Sequence, residues 1–488
     1  MSCCDAKPTP FIKFEPMFDL SPPASCCSQP ATLEQILSTT ESVCPECLAP
    51  IPAQRVAQGE DVYLEKSCPR HGSFRTIIWR GQPAFSSWVR PKIPTSPQNP
   101  FTEVQHGCPH DCGLCPDHRQ QPCCVLLEVT QRCDLRCAFC FANAGGKQAA
   151  DPSLEAIEAW YRRLLAAGGP FNIQLSGGEP CVRHDLPDII ALGCSLGFTF
   201  FQVNTNGLRL ARDPAYLQKL KAAGLSTVFL QFDGTRDEIY QKMRGGKLLA
   251  KKIRTIEQCA EHGLGIVLVP TLVPGINTDN IGDILRLALS YAPAVRGVHF
   301  QPVSYFGRYP QPPSDSDRIT IPEVIRAIEA QTGGLVRRES FKPPGGENAL
   351  CSFHANFVLM PEGELKPLTR HNPGQSCCAP AGRAEERADE GALKSRLVTA
   401  KQWSAPQAIE LEARNGPTLG GWDEFLARAR THTFCISGMA FQDAWNLDLE
   451  RLRDCYIINV SPAGGLVPFC AYNLTDRHGR SLYRKAEQ

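Results

Sequence analysis

Three cysteines fall within the eight residues CDLRCAFC: Cys133, Cys137 and Cys140. Thiolates are soft ligands, and three at this spacing can wrap one cubane iron–sulfur cluster, each holding one iron. The fourth iron then has no local protein ligand. It stays open to a small molecule, much as an open position separates catalytic from structural zinc sites. A second trio, Cys108, Cys112 and Cys115 in CPHDCGLCPDH, repeats the spacing and is followed by His118. It lacks the aromatic residue, Phe139, that precedes the last cysteine of CDLRCAFC.

Other cysteines group differently. Cys44 and Cys47 in CPEC, with Cys68 and His71 in CPRH, make two short-spaced pairs around a strand-rich stretch. That is a ribbon-like Cys₃His set for zinc, or for iron held as in rubredoxin. Cys351, Cys435, Cys455 and Cys470 lie further along, where CYIINV and LVPFCAY flank SPAGG as a hairpin would. The hairpin sets Cys455 and Cys470 at nearly the same end. A further cluster is expected there, with buried inert thiols as the alternative. Eight more form adjacent pairs, Cys3/Cys4, Cys26/Cys27, Cys123/Cys124 and Cys377/Cys378. Neighbouring cysteines make only strained disulfides, so soft-metal capture or redox exchange is the reading left for them.

Cysteine makes up 24 of the 488 residues, too few for a disulfide scaffold and too many for an ordinary enzyme. MSCCDAKPTPFIKFEP has no basic start or apolar stretch of an export signal, and no run approaches the ~20 apolar residues of a membrane span. A cytoplasmic chain with reduced thiols is expected. Lys+Arg minus Asp+Glu is 51 − 50 = +1, with both signs interspersed, which argues against a nucleic-acid partner.

The elements that must position these groups begin in earnest at Val125. Short apolar runs at 125–130, 171–176, 198–204, 227–232, 265–272 and 297–303 read as strands. They alternate with segments of helical periodicity, several ending in glycine. Six β–α units imply a parallel α/β sheet, either a partial (βα)6 TIM-like barrel or an open doubly wound sheet, with its site at the C-terminal strand ends. The expected divisions are a leader (1–35), a metal ribbon (36–95), an auxiliary cluster loop (96–124), the core (125–304) and a C-terminal region (305–488). His299 reads as a core histidine whose strand end points toward the site, and Tyr305, Phe306 and Tyr309 as loop packing or cover for a substrate mouth.

CxxxCxxC after the first strand, with SGGEP (176–180) ending the second, resembles the radical S-adenosylmethionine (SAM) superfamily. The resemblance implies that a [4Fe–4S] cluster on Cys133, Cys137 and Cys140 chelates SAM through its open iron. Reductive cleavage then gives a 5′-deoxyadenosyl radical. It also implies contacts from Gly177, Gly178 and Glu179 to the SAM amino group. Asn204, Asn206, Gln231 and Asp233 are implied for ribose or substrate. Only the CDLRCAFC trio follows a strand and precedes a unit ending in GGEP. Cys108, Cys112 and Cys115 therefore read as an auxiliary [4Fe–4S] loop, with His118 or a distant cysteine as fourth ligand and a zinc knuckle as the alternative.

The string from CPHDCGLCPDH through LLEVTQRCDLRCAFCFANAG is similar to the branch holding the class D pterin methylases and the tetraether lipid synthases. So are the ribbon and ISGMAFQDAWNLDLERL…CYIINVSPAGGLVPFCAYNLT. The TrsS group of radical SAM (seleno)proteins resembles the chain at least as well. Cys123 and Cys124 depart from the methylase pattern. The resemblance implies carbon–carbon bond formation by methylation or alkylation, with one or two auxiliary clusters. It implies a small-molecule, lipid or peptide substrate and an external electron donor such as flavodoxin or ferredoxin. The competing expectations are a peptide-modifying maturase and a multi-cluster electron carrier.

Overall fold

The computed structural model describes residues 34–146, 150–371, 387–406 and 421–484. Nearly all of the expected leader and the pairs Cys3/Cys4, Cys26/Cys27 and Cys377/Cys378 lie outside the described residues. The first element is an antiparallel meander of β1 (Glu34–Val43), β2 (Pro50–Gln58), β3 (Asp61–Cys68) and β4 (Gly72–Trp79). In a meander the β1–β2 and β3–β4 turns fall at one end, so CPEC and CPRH meet. Burial alternates along β2 and β3, leaving one face for the rest of the chain. Charge fixes that face: Arg55 donates from Nε (2.9 Å) and Nη2 (2.7 Å) to Asp448 Oδ2, and Thr40 Oγ1 donates to Asp448 Oδ1 at 2.9 Å.

The core alternates strands and helices: β5 (Cys124–Thr130), α1 (Leu154–Ala166), β6 (Asn172–Gly177), α2 (Leu186–Ser195), β7 (Phe201–Thr205), α3 (Leu208–Arg212) and α4 (Pro214–Ala222). Then come β8 (Leu225–Gln231), α5 (Asp237–Arg244), α6 (Leu249–Glu261), β9 (Gly265–Val269), β10 (Thr271–Leu272), α7 (Ile281–Ser290) and β11 (Val295–Pro302). Ser153 caps α1 by accepting the Ala156 N–H at 3.3 Å. The expected strand 265–272 is broken at Pro270, which has no N–H to give. The expected strand 198–204 begins only at Phe201; Phe198 instead packs on Tyr161, ring centroids 5.1 Å apart.

The C-terminal part runs α8 (Ile321–Gln331), β12 (Ser352–Leu359), β13 (Leu365–Pro367), α9 (Ala388–Trp403), α10 (Gly421–Thr431) and β14 (Thr433–Met439). It ends with α11 (Leu449–Arg453), β15 (Ile457–Val460), β16 (Leu466–Pro468) and α12 (Phe469–Tyr472). It does not stand beside the core but completes it. β14 pairs parallel with β11, and β15 pairs parallel with β5. Eight strands thus run parallel in the order β14-β11-β9-β8-β7-β6-β5-β15, with β12 and β13 beyond β14 and β16 beyond β15. The result is a partial TIM-like barrel whose two edges leave a seam. The expected hairpin is present, with Ile458 opposite Pro468, but its second arm turns into α12 at Phe469.

Outward faces of the strands are apolar and buried under the helices: Ile173, Leu175, Val203, Val228 and Leu230. Helix α9 covers the opposite mouth, at the N-terminal strand ends. Asn172, first in β6, donates from Nδ2 to Arg396 O at 3.0 Å, and Trp403 stacks on Phe229 at 5.2 Å. No helix among the described residues is long and apolar enough to cross a membrane. Replacing Asp448 by alanine removes two charge-assisted hydrogen bonds from the buried Arg55 guanidinium and leaves it Glu450 and Ser38, so Asp448→Ala should destabilise the protein by about 2 kcal/mol. Urea unfolding tests this, and an unchanged midpoint would show that the pair contributes nothing.

Candidate functional site

The loop after β5 is held from two sides. Arg308 and Cys140 exchange backbone hydrogen bonds, both 2.9 Å, while Arg308 Nε donates to Cys137 O at 2.8 Å. From α5, the Met243 carbonyl accepts the Ala138 N–H at 3.0 Å. Gly307 makes this fit possible: its φ is +68°, and a Cβ there would sit 2.4 Å from the carbonyl oxygens of Cys140 and Phe141. Phe139 packs edge-on against Tyr305, centroids 6.3 Å apart. The thiols of Cys133, Cys137 and Cys140 all face one cavity. Arg244 lies beside Cys137 and Arg484 beside Cys140, cations that suit thiolates.

SGGEP closes against the same loop. Gly178 N–H donates to Thr130 O and Glu179 N–H to Arg132 O, both 2.8 Å. A Cβ on Gly177 would lie 2.1 Å from Thr130 O, and one on Gly178 2.2 Å from Arg132 O, so only glycine admits this approach. The Glu179 carboxylate, 2% exposed, is spent on the protein. It accepts from Thr205 Oγ1 (2.7 Å), Cys181 N (3.0 Å) and Asn206 N (2.6 Å), tying the end of β6 to that of β7. Burial holds it above its ordinary value despite these donors.

Gly177, Gly178, Glu179, Asn204, Asn206 and Gln231 line the cavity with the three thiols. Asn206 is partly engaged, donating to Asp134 Oδ1 at 2.7 Å. Asp233 is a correction. It is fully buried and takes Arg244 in a two-pronged ion pair at 2.7 and 2.8 Å, with Thr271 N at 3.3 Å. Unlike the other six it does not line the cavity, and its carboxylate positions Arg244 beside Cys137.

The cavity runs through the barrel as a lumen of about 540 Å³. Its wall is rich in carboxamides from alternate strand positions: Asn172, Gln174, Gln202, Asn204, Gln231 and Gln301. Gln202 is fully buried with Oε1 unpartnered, and Asn356 Oδ1 and Gln402 Nε2 are likewise buried without a partner. Buried polar atoms are rarely left so, and here they offer hydrogen bonds to a guest. His299, within 2.9 Å of Ser437 Oγ and pushed down to about 4 by burial, also faces the lumen. Phe306 lines it too, whereas Tyr305 and Tyr309 pack on one another at 5.8 Å. Cys123, Cys124 and Cys435 are lumen residues.

In the second trio the Cys108 and Cys112 thiols share a hydrogen bond, and Tyr483 Oη accepts the Cys112 N–H at 2.9 Å. Buried His118 donates from Nε2 to Cys455 O at 2.8 Å, which leaves Nδ1 as the nitrogen with a lone pair. Burial raises the pKa of Cys351, Cys455 and Cys470; Cys470 and Cys351 add to the rise at Cys455 and Cys351 to that at Cys470, and Arg451 lies beside Cys351 and Cys470. Cys435 does not join them. It sits on β14 opposite Gly297, with Arg296 as its charged neighbour, because β14 is built into the barrel wall. In the ribbon, the ligand atoms of Cys44, Cys47, Cys68 and His71 all lie within 4.8 Å of one another. His71 Nδ1 is 3.4 Å from both Cys44 Sγ and Cys68 Sγ, a spacing that fits one tetrahedral ion.

A family model described as the radical SAM superfamily matches residues 127–288, and one described as the HMPTM N-terminal zinc ribbon domain matches 36–80. The chain is 34% identical over 474 residues to a 7,8-dihydro-6-hydroxymethylpterin dimethyltransferase of Methanocaldococcus jannaschii, covering 90% of this chain and 94% of that one. It is 27% identical over 268 residues to a probable GTP 3′,8-cyclase of Archaeoglobus fulgidus, 51% of this chain and 86% of that one. Among solved structures, Streptococcus suis SuiB bound to S-adenosylmethionine aligns over 41% of this chain and 44% of that one, at 16% identity and TM-score 0.32.

The clamp on the cysteine loop is directly testable. Gly307→Ala meets both a left-handed φ and two carbonyls, whereas Gly479→Ala meets only a φ of +81° with nothing within 4 Å. The left-handed conformation alone costs about 1–2 kcal/mol. Gly307→Ala should therefore lose at least about 1 kcal/mol more stability than Gly479→Ala; equal losses would mean that the loop yields without resistance.

Proposed function

Since this chain belongs to the radical SAM superfamily, in the branch of the class D pterin methylases, we propose that it transfers a one-carbon unit from a reduced folate-type donor to an unactivated carbon of a polar ring bound in the barrel lumen. One observation carries this reading. The three clustered thiols, the SGG backbone and carboxamides with unused hydrogen-bonding capacity share a single cavity. A pterin-like heterocycle, edged with donors and acceptors, is the chemical class such a wall would take, in keeping with the name of the Methanocaldococcus relative.

Cys133, Cys137 and Cys140 would hold a [4Fe–4S] cluster, and the closed contact between SGGEP and the loop fits a rigid cradle for it. When bound, cluster and SAM supply a 5′-deoxyadenosyl radical that takes hydrogen from carbon. The protein's own contribution is placement and dryness. Gly177 and Gly178 bring the end of β6 against the loop and open space above it. Asn204, Asn206 and Gln231 stand at the strand ends where SAM or substrate would lie. Helix α9 closes the far mouth to water.

Two auxiliary clusters complete the proposal. Cys108, Cys112 and Cys115 with His118 Nδ1 would hold one. Cys351, Cys455 and Cys470 would hold another, where buried Arg451, its Nε unpartnered, offsets thiolate charge. The ribbon's Cys44, Cys47, Cys68 and His71 would hold zinc. An external one-electron donor of the flavodoxin or ferredoxin type would supply reducing equivalents.

Anaerobically reconstituted protein given SAM and dithionite should release 5′-deoxyadenosine, and Cys137→Ala should reduce release to background. Cys112→Ala should keep the cleavage yet give no alkylated product. With 7,8-dihydro-6-hydroxymethylpterin and a reduced folate-type one-carbon donor present, cleavage should rise and the pterin gain mass. If wild type makes no 5′-deoxyadenosine, the reading falls.

A further inference from the structure

Among the described residues two carboxylates line the lumen, Glu179 and Glu347. Both oxygens of Glu179 are taken, by Thr205, Cys181 and Asn206. Glu347 is different. It is 3% exposed, and its Oε1 accepts from Oγ of Ser352, the first residue of β12. Its Oε2 is buried with no hydrogen bond donated to it. A carboxylate oxygen left unmet in a buried wall is costlier than an unmet amide.

The backbone around Glu347 is tied on both sides, which keeps the carboxylate on the wall. Before it, Lys342 and His354 exchange backbone hydrogen bonds at 3.1 and 3.2 Å, and Gln120 Nε2 donates to Gly346 O at 2.5 Å. Gly346 lies so close to Tyr456 that a Cβ there would be 2.5 Å from the ring. Lys92 Nζ donates to the carbonyl of Glu347 itself, and after it Asn348 Nδ2 donates to Asp454 Oδ2 at 2.9 Å. The charge of the carboxylate is felt at two other lumen residues: burial, then Glu347, push up the Tyr456 phenol and the Cys123 thiol. Cys123 immediately precedes β5, whereas the loop with Cys133, Cys137 and Cys140 follows the other end of that strand.

The polarity of the unmet atoms narrows the guest. The carboxamides of Gln202 and Asn356 can turn over to offer a donor or an acceptor, whereas an ionised carboxylate only accepts. Glu347 has Oε2 free and a second acceptor site on Oε1 beyond the Ser352 bond, which suits two N–H groups side by side. We infer that Glu347 is the specificity-determining residue of the lumen: its carboxylate takes the exocyclic amine and the adjacent ring N–H of a 2-amino-4-oxo-pyrimidine edge, leaving the fused second ring toward the cysteine loop. This rests on the reading that the lumen binds a pterin-like ring. A ring that presents oxygen at that edge is rejected, because the carboxylate would stay unpaired against it. Held by this edge, the ring offers its far side to the radical.

The test uses the full-length, cluster-loaded enzyme with SAM and no reductant, under anaerobic calorimetry. The probes are 7,8-dihydro-6-hydroxymethylpterin and its lumazine counterpart, in which a carbonyl oxygen replaces the exocyclic amine. Wild type should bind the pterin at least about tenfold more tightly than the lumazine. Glu347→Gln should weaken the pterin by about tenfold or more and bring the two affinities within about threefold, since its amide can donate to the lumazine carbonyl. Glu347→Asp keeps the charge but draws it back by one methylene. It should weaken the pterin while still disfavouring the lumazine, and it decides the matter if Glu347→Gln does not fold. The inference is overturned if wild type binds both rings alike, if Glu347→Gln keeps the wild-type ratio, or if Glu347→Asp binds the pterin as tightly as wild type; in each case the lumen remains a site for the ring. If wild type binds neither ring, the reading of the lumen falls and the inference with it.

Discussion

The site depends on how closely two pieces of backbone approach. The carbonyls of Thr130 and Arg132 stand where the side chains of Gly177 and Gly178 would be, and those of Cys140 and Phe141 where a side chain on Gly307 would be. The loop bearing three cysteines is thus clasped between the end of β6 and the segment after β11. Backbone contacts of this kind cannot be re-formed by moving a side chain. The loop backbone that carries the thiols is consequently held by the protein itself, with Arg308 donating to the carbonyls of Cys137 and Ala144 and Arg244 placed beside Cys137.

Around that loop the barrel is hollow rather than packed. TIM-type barrels fill their interior with branched apolar side chains. Here the helix-facing side is apolar, and the lumen is lined by amides, a histidine and cysteines set among Leu126, Phe200, Phe229 and Val269. An interior of carboxamides is held open by the helical shell outside it rather than by its own packing. Unsatisfied atoms such as Gln202 Oε1 are the cost, and they are tolerable only if a guest supplies the missing partners.

Much of this was legible in the sequence. The six core strands were readable because their outward faces are near-continuously apolar. The ribbon was readable because four ligands at short spacing leave few alternatives, and the cysteine loop because its spacing is specific. What was hidden has a physical reason. β12 and β14 alternate phenylalanine or isoleucine with His354, Asn356, Cys435 and Ser437, so each reads as a weak, half-polar strand although both line the lumen. Asp233 sits at a strand end like a ligand contact, but Arg244, eleven residues on along the chain, claims it. Cys435 reads like its C-terminal companions, yet strand pairing carries it into the wall. Such outcomes depend on long-range pairing that local pattern does not encode.

The order of the strands also sets an order of assembly. β14 and β15, which flank the central six on either side, are supplied by residues 433–460, near the end of the chain. During synthesis the inner strands emerge with both borders bare, open to mispairing until those residues follow. Cys455 and Cys470 arrive in the same late stretch, as does Asp448, which fastens the ribbon. A polypeptide interrupted before residue 433 would hold the cysteine loop but lack both bordering strands and the ribbon's anchor.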